Sequence, residues 1–331
     1  MTVQITIIGL GQIGASIGLA LAGQEEKILR FGSDINAKTT FMAQKMGAID
    51  KGGQNLNAAV RDADIVILAV PMNQLREMIE AVAPELKEGA VLMDTGPLKT
   101  VSAGWAAEYL PDGRHYVGLT PVINPDYLHE EAHGLDAARA DLFRNGMLGI
   151  AAPPGTHSEA IKLAADLTKL VGATPFFVDL LEIDGLMTTT HLLPHLLSVA
   201  LLNATLGQPG WQEARKIAGR AYTEVTGLIG HLESPEALAT AVMSNQENSL
   251  RLLDNAIEAL HVLRQDIASQ DMASLTTHLQ QAETGFHQWR GQRQAANWQG
   301  EELNKIEHPT APSYLKRLIG LGGKKPKEKN G

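Results

Sequence analysis

The chain has 331 residues, which at about 150 residues per domain predicts two domains, each able to bury a core. Hydrophobic residues make up 44% and charged residues 20%, so a disordered or collagen-like chain is excluded. The absence of cysteine excludes disulfides, zinc–thiolate sites and thiol nucleophiles. A net charge of −9 argues against nucleic acid as the main partner. Without an uninterrupted apolar run of membrane length or a signal-peptide pattern, we expect a cytoplasmic protein with no membrane partner.

Short apolar runs alternate with helical segments over the first 180 residues. Strands are predicted at residues 3–8, 27–34, 65–70, 90–94, 116–122, 148–152 and 175–178. Helices are predicted at 13–22 and 38–46, and a capping box formed by Thr156 and Glu159 opens a third helix that ends at Val171. This alternation predicts an α/β fold with a Rossmann-type doubly wound parallel sheet.

Helical periodicity replaces the strand pattern after residue 181. Ser234 followed by Pro235 is a helix start, with Ser234 as the N-cap. Six apolar residues then repeat at spacings of three and four, as a core stripe or a dimer seam would; they are Leu250, Leu253, Ile257, Leu260, Leu263 and Ile267. We therefore predict a dinucleotide-binding domain at 1–180, an all-helical dimerisation and substrate domain at 181–300, and a basic, disordered tail at 301–331.

A glycine-rich motif connects the first predicted strand to the first predicted helix. Gly9, Gly11 and Gly14 form GxGxxG in the context that dinucleotide binding requires, and Gln12 and Ile13 open a helix whose N–H groups can bind phosphates. Asp34 follows the second strand, where a carboxylate accepts hydrogen bonds from the adenine ribose and repels a 2′-phosphate. The motif predicts NAD as cofactor, without excluding NADP; the alternative is a glycine turn that binds nothing.

Four segments in chain order resemble a known family: residues 9–17, 63–71, 94–99 and 134–143. They read Gly-Leu-Gly-Gln-Ile-Gly-Ala-Ser-Ile, Ala-Asp-Ile-Val-Ile-Leu-Ala-Val-Pro, Asp-Thr-Gly-Pro-Leu-Lys and Gly-Leu-Asp-Ala-Ala-Arg-Ala-Asp-Leu-Phe, and residues 184–197 add Leu-Pro-His. The sequence resembles the prephenate/arogenate dehydrogenases of tyrosine biosynthesis. The resemblance implies an NAD(P)-dependent oxidoreductase that is a homodimer through its helical domain. It also implies hydride transfer between the nicotinamide and a small, carboxylated substrate in the interdomain cleft. The implied cofactor contacts are Ala69, Val70, Pro71, Asp94 and Thr95.

The departures from the family fall on the residues used for chemistry. Where the family reads Gly-Gly-His-Pro, this chain has Thr120, and a threonine cannot act as a base near neutral pH. The family's serine before Val-Lys is Pro97 here. The arginine that holds a substrate carboxylate aligns with Val225, and Arg220 is the candidate substitute. In the Ser-His-Leu-Pro-His element, His195 aligns with the second histidine. These departures predict a substrate different from prephenate or, alternatively, a non-catalytic dinucleotide-binding dimer that serves as a sensor or partner protein.

Two histidines on one helix face are the candidate catalytic pair. His191 and His195 lie four residues apart, so they can bind an anionic substrate or supply a base; the alternative is a pair of interface histidines. Pro194 between them removes a helical hydrogen bond, as at a helix break beside a pocket. No third ligand suits zinc, so no metal is predicted.

Three further residues follow predicted strands. Lys99 is a catalytic candidate near the nicotinamide, with a solvated first-turn residue as the alternative. Thr120 and Asn124 follow the strand at 116–122, at the edge where α/β proteins bind ligands. We predict a catalytic role for Thr120 and substrate binding by Asn124, and the alternative for both is turn formation.

Overall fold

The computed structural model describes residues 2–24 and 27–296, so the tail predicted at 301–331 lies outside the described residues. The described chain forms two compact units. The first comprises the residues up to Val70 together with Gln74–Leu180, and the second comprises Pro71–Asn73 and the helices from Leu181 onward.

The first unit is built on one sheet of eight strands. They are β1 (Val3–Ile8), β2 (Ile28–Ser33), β3 (Lys51–Gly52), β4 (Ile65–Leu68), β5 (Val91–Asp94), β6 (His115–Val122), β7 (Met147–Ala151) and β8 (Thr174–Phe177). Their order is β3-β2-β1-β4-β5-β6-β7-β8, and all neighbours are parallel except β6 and β7. The predicted fold class is confirmed. The order reverses between β1 and β4, the point at which such sheets bind ligands.

Helices connect these strands. They are α1 (Gln12–Ala20), α2 (Ala37–Lys45), α3 (Leu56–Val60), α4 (Met72–Val82), α5 (Lys99–Tyr109) and α6 (Ser158–Leu170). Every predicted strand and the helices α1 and α2 lie within two residues of their predicted bounds. The two-residue strand β3 and the helices α3, α4 and α5 carry no prediction; β3 and the five-residue α3 are too short to show a period.

The central strands are buried on both faces. All four residues of β4 are buried, from Ile65 to Leu68, and so are all four of β5. A parallel sheet covered by helices on both sides requires such uninterrupted apolar runs, which is why these strands can be read directly from the sequence. The buried core fixes the carboxyl ends of the strands, and the loops at those ends carry the candidate site.

The predicted capping box before α6 is wrong. His157 is the N-cap, and its Nδ1 accepts a hydrogen bond from the backbone N–H of Glu159 at 3.3 Å. The Thr156 hydroxyl instead donates to the carbonyl of Pro153 at 2.8 Å. Because the hydroxyl closes this preceding turn, the N-cap moves from Thr156 to His157 and the helix begins one residue later than the box predicts.

The second unit is helical. Its helices are α7 (Leu180–Met187), a π-helical turn (Thr188–Leu192), α8 (Leu193–Leu206), α9 (Trp211–Ile217), α10 (Arg220–Thr226), α11 (Pro235–Ser244), α12 (Gln246–Ala268) and α13 (Met272–Ala295). The predicted cap is confirmed: Ser234 Oγ accepts a hydrogen bond from the backbone N–H of Ala237 at 3.0 Å.

Much apolar surface of the second unit is exposed in the single chain. Leu250, Ile257, Leu260 and Ile267 of the α12 stripe are all exposed, so the stripe is not core. The helical run Leu180–Leu206 is long and apolar enough to cross a membrane by length and composition alone, and 22% of its most apolar window is buried. The sequence contains no uninterrupted apolar run of that length, so this run was not expected. A dimer seam is the remaining sequence interpretation of the α12 stripe.

Candidate functional site

The glycine loop after β1 is shaped by two close backbone approaches. Gly9 has a φ of +89°, and a Cβ there would lie 2.2 Å from the carbonyl oxygen of Ala69. A Cβ at Gly14 would lie 2.0 Å from the carbonyl oxygen of Gly9. Gly11 differs, because a Cβ there would meet no atom within 4 Å. Two of the glycines are thus required for folding, whereas the third keeps an open surface.

That open surface lies at the N-terminus of α1. Gly11 is the N-cap and offers no side chain to the first N–H groups of the helix, and the first turn, from Gln12, contains no acidic residue. These N–H groups and the helix dipole attract an anion such as a pyrophosphate. The Gln12 side chain turns toward the carbonyl of Ala137 at 3.5 Å, and Ile13 is the next residue of the same first turn. The residues present therefore fit a dinucleotide phosphate group.

Asp34 faces the glycine loop. Its Oδ2 accepts a hydrogen bond from the backbone N–H of Leu10 at 2.9 Å, and its Oδ1 accepts one from Asn36 N at 2.9 Å. The backbone N–H of Asp34 donates to Thr40 Oγ1 at 3.1 Å, which holds the residue at the end of β2. A carboxylate has about four lone-pair positions, so further donors can still bind it. The carboxylate thus lies beside the loop that fits the phosphates, as a ribose contact requires.

The turn after β4 packs against the same loop. The N–H of Ala69 donates to the carbonyl of Ile8 at 2.7 Å, and the Ala69 carbonyl is the group that excludes a side chain at Gly9. A Cβ at Gly9 would also lie 3.2 Å from Val70 Cγ1. Pro71 follows Val70 and begins the short segment Pro71–Asn73, which belongs to the second unit. Ala69 and Val70 therefore adjoin the glycine loop, as the cofactor assignment implies.

The carboxylate of Asp94, in contrast, is not free for a cofactor. It is fully buried, with Oδ1 accepting from Gly96 N at 2.8 Å and from Lys99 Nζ at 2.7 Å, and Oδ2 accepting from the Tyr116 hydroxyl at 2.5 Å. The backbone N–H of Thr95 donates to Leu68 O at 3.0 Å. Protein donors occupy both oxygens of the Asp94 carboxylate, and the cofactor contacts implied for Asp94 and Thr95 stay predictions.

Lys99 is also sealed inside the first unit. Its side chain is 0% exposed, so its interpretation as a solvated first-turn residue is wrong. Its Nζ donates to Asp94 Oδ1, to the carbonyl of Gly96 at 2.7 Å and to the carbonyl of Asp94 at 3.2 Å. An ammonium held by three protein oxygens does not reach a substrate, so direct catalysis by Lys99 is not supported.

The side chains of Thr120, near the end of β6, and Asn124, just after it, make different contacts. Thr120 is 2% exposed, and its Oγ1 has no hydrogen-bond partner among the described residues. Asn124 uses its side chain locally: Oδ1 accepts from Asp126 N at 3.1 Å, and Nδ2 donates to Asp141 O at 3.5 Å. The Asn124 side chain thus forms the turn that the alternative interpretation predicts, and its role as a substrate ligand stays a prediction, as does the catalytic role of Thr120.

The histidine pair of the second unit lies at a π-helical turn. The turn, Thr188–Leu192, ends two residues before Pro194, whose missing N–H interrupts the α-helical pattern. His195 is buried, its Nδ1 lies 2.7 Å from the carbonyl oxygen of His191, and the two rings are 4.8 Å apart. A carbonyl only accepts, so Nδ1 carries the hydrogen and Nε2 of the neutral ring has a free lone pair.

Arg220 does not form a buried carboxylate clamp. Its side chain is 90% exposed, and its Nε donates to Glu224 Oε1 at 2.7 Å on the same helix. This placement gives no support to the prediction that Arg220 holds a substrate carboxylate, which stays a prediction. Val225, which aligns with the family's arginine, accepts a hydrogen bond from the Ser198 hydroxyl at its backbone carbonyl. In the described part of the chain, no group of three or more histidine, aspartate or glutamate side chains could hold a metal.

Tyr116 is a site residue that the sequence reasoning missed. It occupies the same face of β6 as Gly118 and Thr120, because strand side chains alternate. A Cβ at Gly118 would lie 3.0 Å from the Tyr116 hydroxyl and 2.5 Å from Lys99 Cδ. The signal was a tyrosine two residues before a glycine, on the strand next to one that ends in aspartate.

The sheet order, the glycine loop and the carboxylate after β2 together define a protein with a Rossmann-type dinucleotide-binding domain. Residues 17–176 match the family model described as "Prephenate dehydrogenase, nucleotide-binding domain", and residues 182–281 match "Prephenate dehydrogenase, dimerization domain". The chain belongs to the prephenate dehydrogenase family, which confirms the resemblance noted in the sequence.

Individual relatives agree with this assignment. Over 282 residues the chain is 24% identical to prephenate dehydrogenase of Bacillus subtilis, covering 84% of this chain and 74% of that protein. It is 26% identical to cyclohexadienyl dehydrogenase of Zymomonas mobilis over 284 residues, covering 84% and 93%. The crystal structure of prephenate dehydrogenase from A. aeolicus, in complex with hydroxyphenyl propionate and NAD+, superposes with a TM-score of 0.76. That likeness covers 87% of this chain and 99% of the other at 20% identity, and it shows the shared fold.

Proposed function

We propose that this chain is an NAD-dependent dehydrogenase that oxidises a small, carboxylated substrate of the prephenate or arogenate class. The observation that carries the proposal is the glycine loop, where Gly11 is open beside the α1 N-terminus and the Asp34 carboxylate bonds the loop at Leu10. The family assignment supports the reaction class, and the A. aeolicus relative was crystallised with NAD+.

Asp34 supports NAD over NADP. Its oxygens are bonded to the N–H groups of Leu10 and Asn36, which keeps the carboxylate at the loop and leaves lone pairs for ribose hydroxyls. A 2′-phosphate would bring a second negative charge to this carboxylate. Lys38, two residues past Asn36 on α2, is the nearby cation that weakens this preference without reversing it.

Two groups of this chain support the chemistry. Bound NAD accepts a hydride from the carbon that carries the substrate hydroxyl, and that hydroxyl must then lose its proton. His195 Nε2 is the proposed proton acceptor, because Nδ1 is committed as a donor to the carbonyl of His191. In the first unit, the buried Thr120 hydroxyl, which has no partner among the residues described, is a separate proposed hydrogen-bonding group for substrate. His191, whose ring lies against that of His195, is the second histidine of the proposed catalytic pair.

The departures at Pro97, Val225 and Thr120 support a substrate that differs from prephenate at its charged groups. An apolar side chain at position 225 cannot pair with a carboxylate, and a buried carboxylate without a cation costs several kcal/mol. The exposed Arg220 does not replace the missing charge. We therefore propose that prephenate is not the preferred substrate of this chain.

The test combines cofactor binding with turnover. NADH is titrated by fluorescence, and NADH formation is then followed with prephenate and with arogenate. We expect saturable binding and activity that falls at least about tenfold in Thr120→Val and in His195→Ala. Absence of binding at millimolar NADH would refute the proposal. Binding without turnover of either substrate would rule out prephenate and arogenate as the substrates. Binding without hydride exchange for any tested metabolite would favour the second candidate, a non-catalytic dinucleotide-binding dimer.

We also propose that the active form is a homodimer through the second unit. The family model describes residues 182–281 as a dimerization domain, and the α12 residues Ile257 and Leu260 are exposed in the single chain. Light scattering after size-exclusion chromatography should give twice the chain mass of 35.5 kDa. A charge at the seam, Leu260→Glu, should give the monomer; a monomeric wild type would overturn the proposal. The cytoplasmic location stays a prediction.

A further inference from the structure

The loop that joins β5 to α5 lies over a buried ion pair. Asp94 ends β5 and Lys99 begins α5, and both side chains are 0% exposed with Nζ and Oδ1 2.7 Å apart. Removing two charges from water is offset only when the geometry is good and the remaining donors and acceptors are satisfied. Such a pair is weak evidence for stability, so its placement calls for another explanation.

The bonds of this pair converge on one residue of the loop. The N–H of Gly96 donates to Asp94 Oδ1 at 2.8 Å, and the carbonyl of Gly96 accepts from Lys99 Nζ at 2.7 Å. The Tyr116 hydroxyl donates to the other carboxylate oxygen at 2.5 Å. Both backbone groups of Gly96 are thus held by charged side chains, and the carboxylate that holds one of them is itself fixed by Tyr116.

The sheet places this loop at the ligand-binding edge. Asp94 pairs with Leu68 of β4, and Thr95 N donates to the carbonyl of Leu68 at 3.0 Å, so the loop runs beside the turn that follows β4. That turn packs against the glycine loop through Ala69. The carboxyl ends of parallel strands are where such sheets bind ligands. A fixed backbone at Gly96 therefore presents a fixed surface to whatever binds there.

Strand β6 leaves space for the buried Asp94–Lys99 pair. A side chain at Gly118 would collide with Lys99 Cδ at 2.5 Å and with the Tyr116 hydroxyl at 3.0 Å. The next residue on this face is Thr120, whose hydroxyl is buried and without a partner among the residues described. The buried pair thus lies between the loop and the strand that carries the proposed substrate contact.

We propose that Asp94, Lys99 and Tyr116, here called the β5 clamp, are positioning residues that hold the loop at residues 95–98 in its cofactor-binding conformation. Lys99 acts through Asp94 and Gly96 and touches neither cofactor nor substrate. The inference rests on the proposed dinucleotide-dependent function, since that function defines what the loop is positioned for.

The test uses Tyr116→Phe in the full chain, because this variant keeps the ring and removes one donor. Lys99→Met would leave the buried Asp94 carboxylate without its cation, and failure to fold would then hide the effect. Tyr109→Phe is the matched control, since its hydroxyl bonds Arg76 on the outside of the first unit. Hydrogen exchange of the peptide containing Gly96, the NADH dissociation constant and the melting temperature are measured for each variant.

We expect Tyr116→Phe to accelerate exchange at residues 95–98 by at least about tenfold and to weaken NADH binding by at least about threefold. Tyr109→Phe should do neither. Unchanged loop exchange, unchanged NADH affinity, or faster exchange across the whole sheet with a matching loss of melting temperature would overturn the clamp. A wild-type chain that does not bind NADH would instead refute the proposed function, so the two failures are distinguishable.

Discussion

Folding and dinucleotide binding can be separated by single methyl groups in the glycine loop. Gly11→Ala adds a methyl to an open surface, since no atom lies within 4 Å of its Cβ position. Gly14→Ala adds the same methyl 2.0 Å from the carbonyl oxygen of Gly9. The two variants therefore carry the same substitution and differ only in whether the added methyl group contacts other atoms of the protein.

The expected magnitudes follow from these contacts. At Gly14 the neighbour is backbone and cannot rotate away, so the overpacking should cost about 1–3 kcal/mol or more. For a unit of this size that lowers the melting temperature by roughly 3–10 °C. At Gly11, a helix N-cap, alanine costs about 1 kcal/mol or less. The Gly11 methyl should nevertheless weaken NADH binding at least about tenfold, equivalent to about 1.4 kcal/mol, because it occupies the approach of the pyrophosphate.

Both variants are measured by NADH fluorescence titration at 25 °C and by thermal unfolding without ligand. The expected pattern is a folded Gly11→Ala with poor binding and a destabilised Gly14→Ala. A Gly11→Ala variant that binds NADH as tightly as the wild type would refute the assignment of this loop as the phosphate site. Equal losses of melting temperature in the two variants would refute the separation of roles.

Three further outcomes are expected. Asp34→Ser removes the charge that a 2′-phosphate would meet, so the ratio of NADPH to NADH affinity should rise at least about tenfold in paired titrations; an unchanged ratio would contradict it. Arg220→Ala should change kcat/KM with arogenate or prephenate by less than about twofold, because the guanidinium is exposed; a large loss would restore the clamp role. Burial and the stacked ring of His157 lower the pKa of His115, so the neutral form favours the folded state and stability is lost as pH falls below about 6.5. The melting temperature of the wild type should therefore fall more between pH 7.5 and 5.5 than that of His115→Asn, and parallel curves would argue against this coupling.

The sheet could be predicted from the sequence because burial on both faces leaves a simple pattern. The run Ile65–Leu68 is apolar at every position, and such a run in an alternating β/α chain has few other structures available. Gly9, Gly14 and Asp34 could be predicted for a related reason. Their roles depend on local backbone geometry and on spacing, and both are written in the sequence.

The buried polar cluster could not be predicted in the same way. Lysine and aspartate are almost never fully buried unless they are paired, so Lys99 alone suggests solvent or catalysis. Its pairing depends on Gly118 leaving space and on Tyr116 reaching Asp94 from the neighbouring strand. Those contacts join residues on separate elements, and spacing along the chain does not encode them.

The burial of Lys99 and Asp94 reduces the number of side chains that could act as the proposed base. Lys99 is committed to three oxygens and the carboxylate of Asp94 to three donors, so neither can exchange a proton with a substrate. The Thr120 hydroxyl can share a hydrogen bond but cannot hold a proton near neutral pH. Beside the π-helical turn, His195 Nδ1 lies 2.7 Å from the carbonyl oxygen of His191, so Nδ1 is the donor. Nε2 of the neutral ring then carries the lone pair that the proposed base requires. A chain with threonine at position 120 thus still carries an imidazole in the tautomer that the proposed proton acceptor requires.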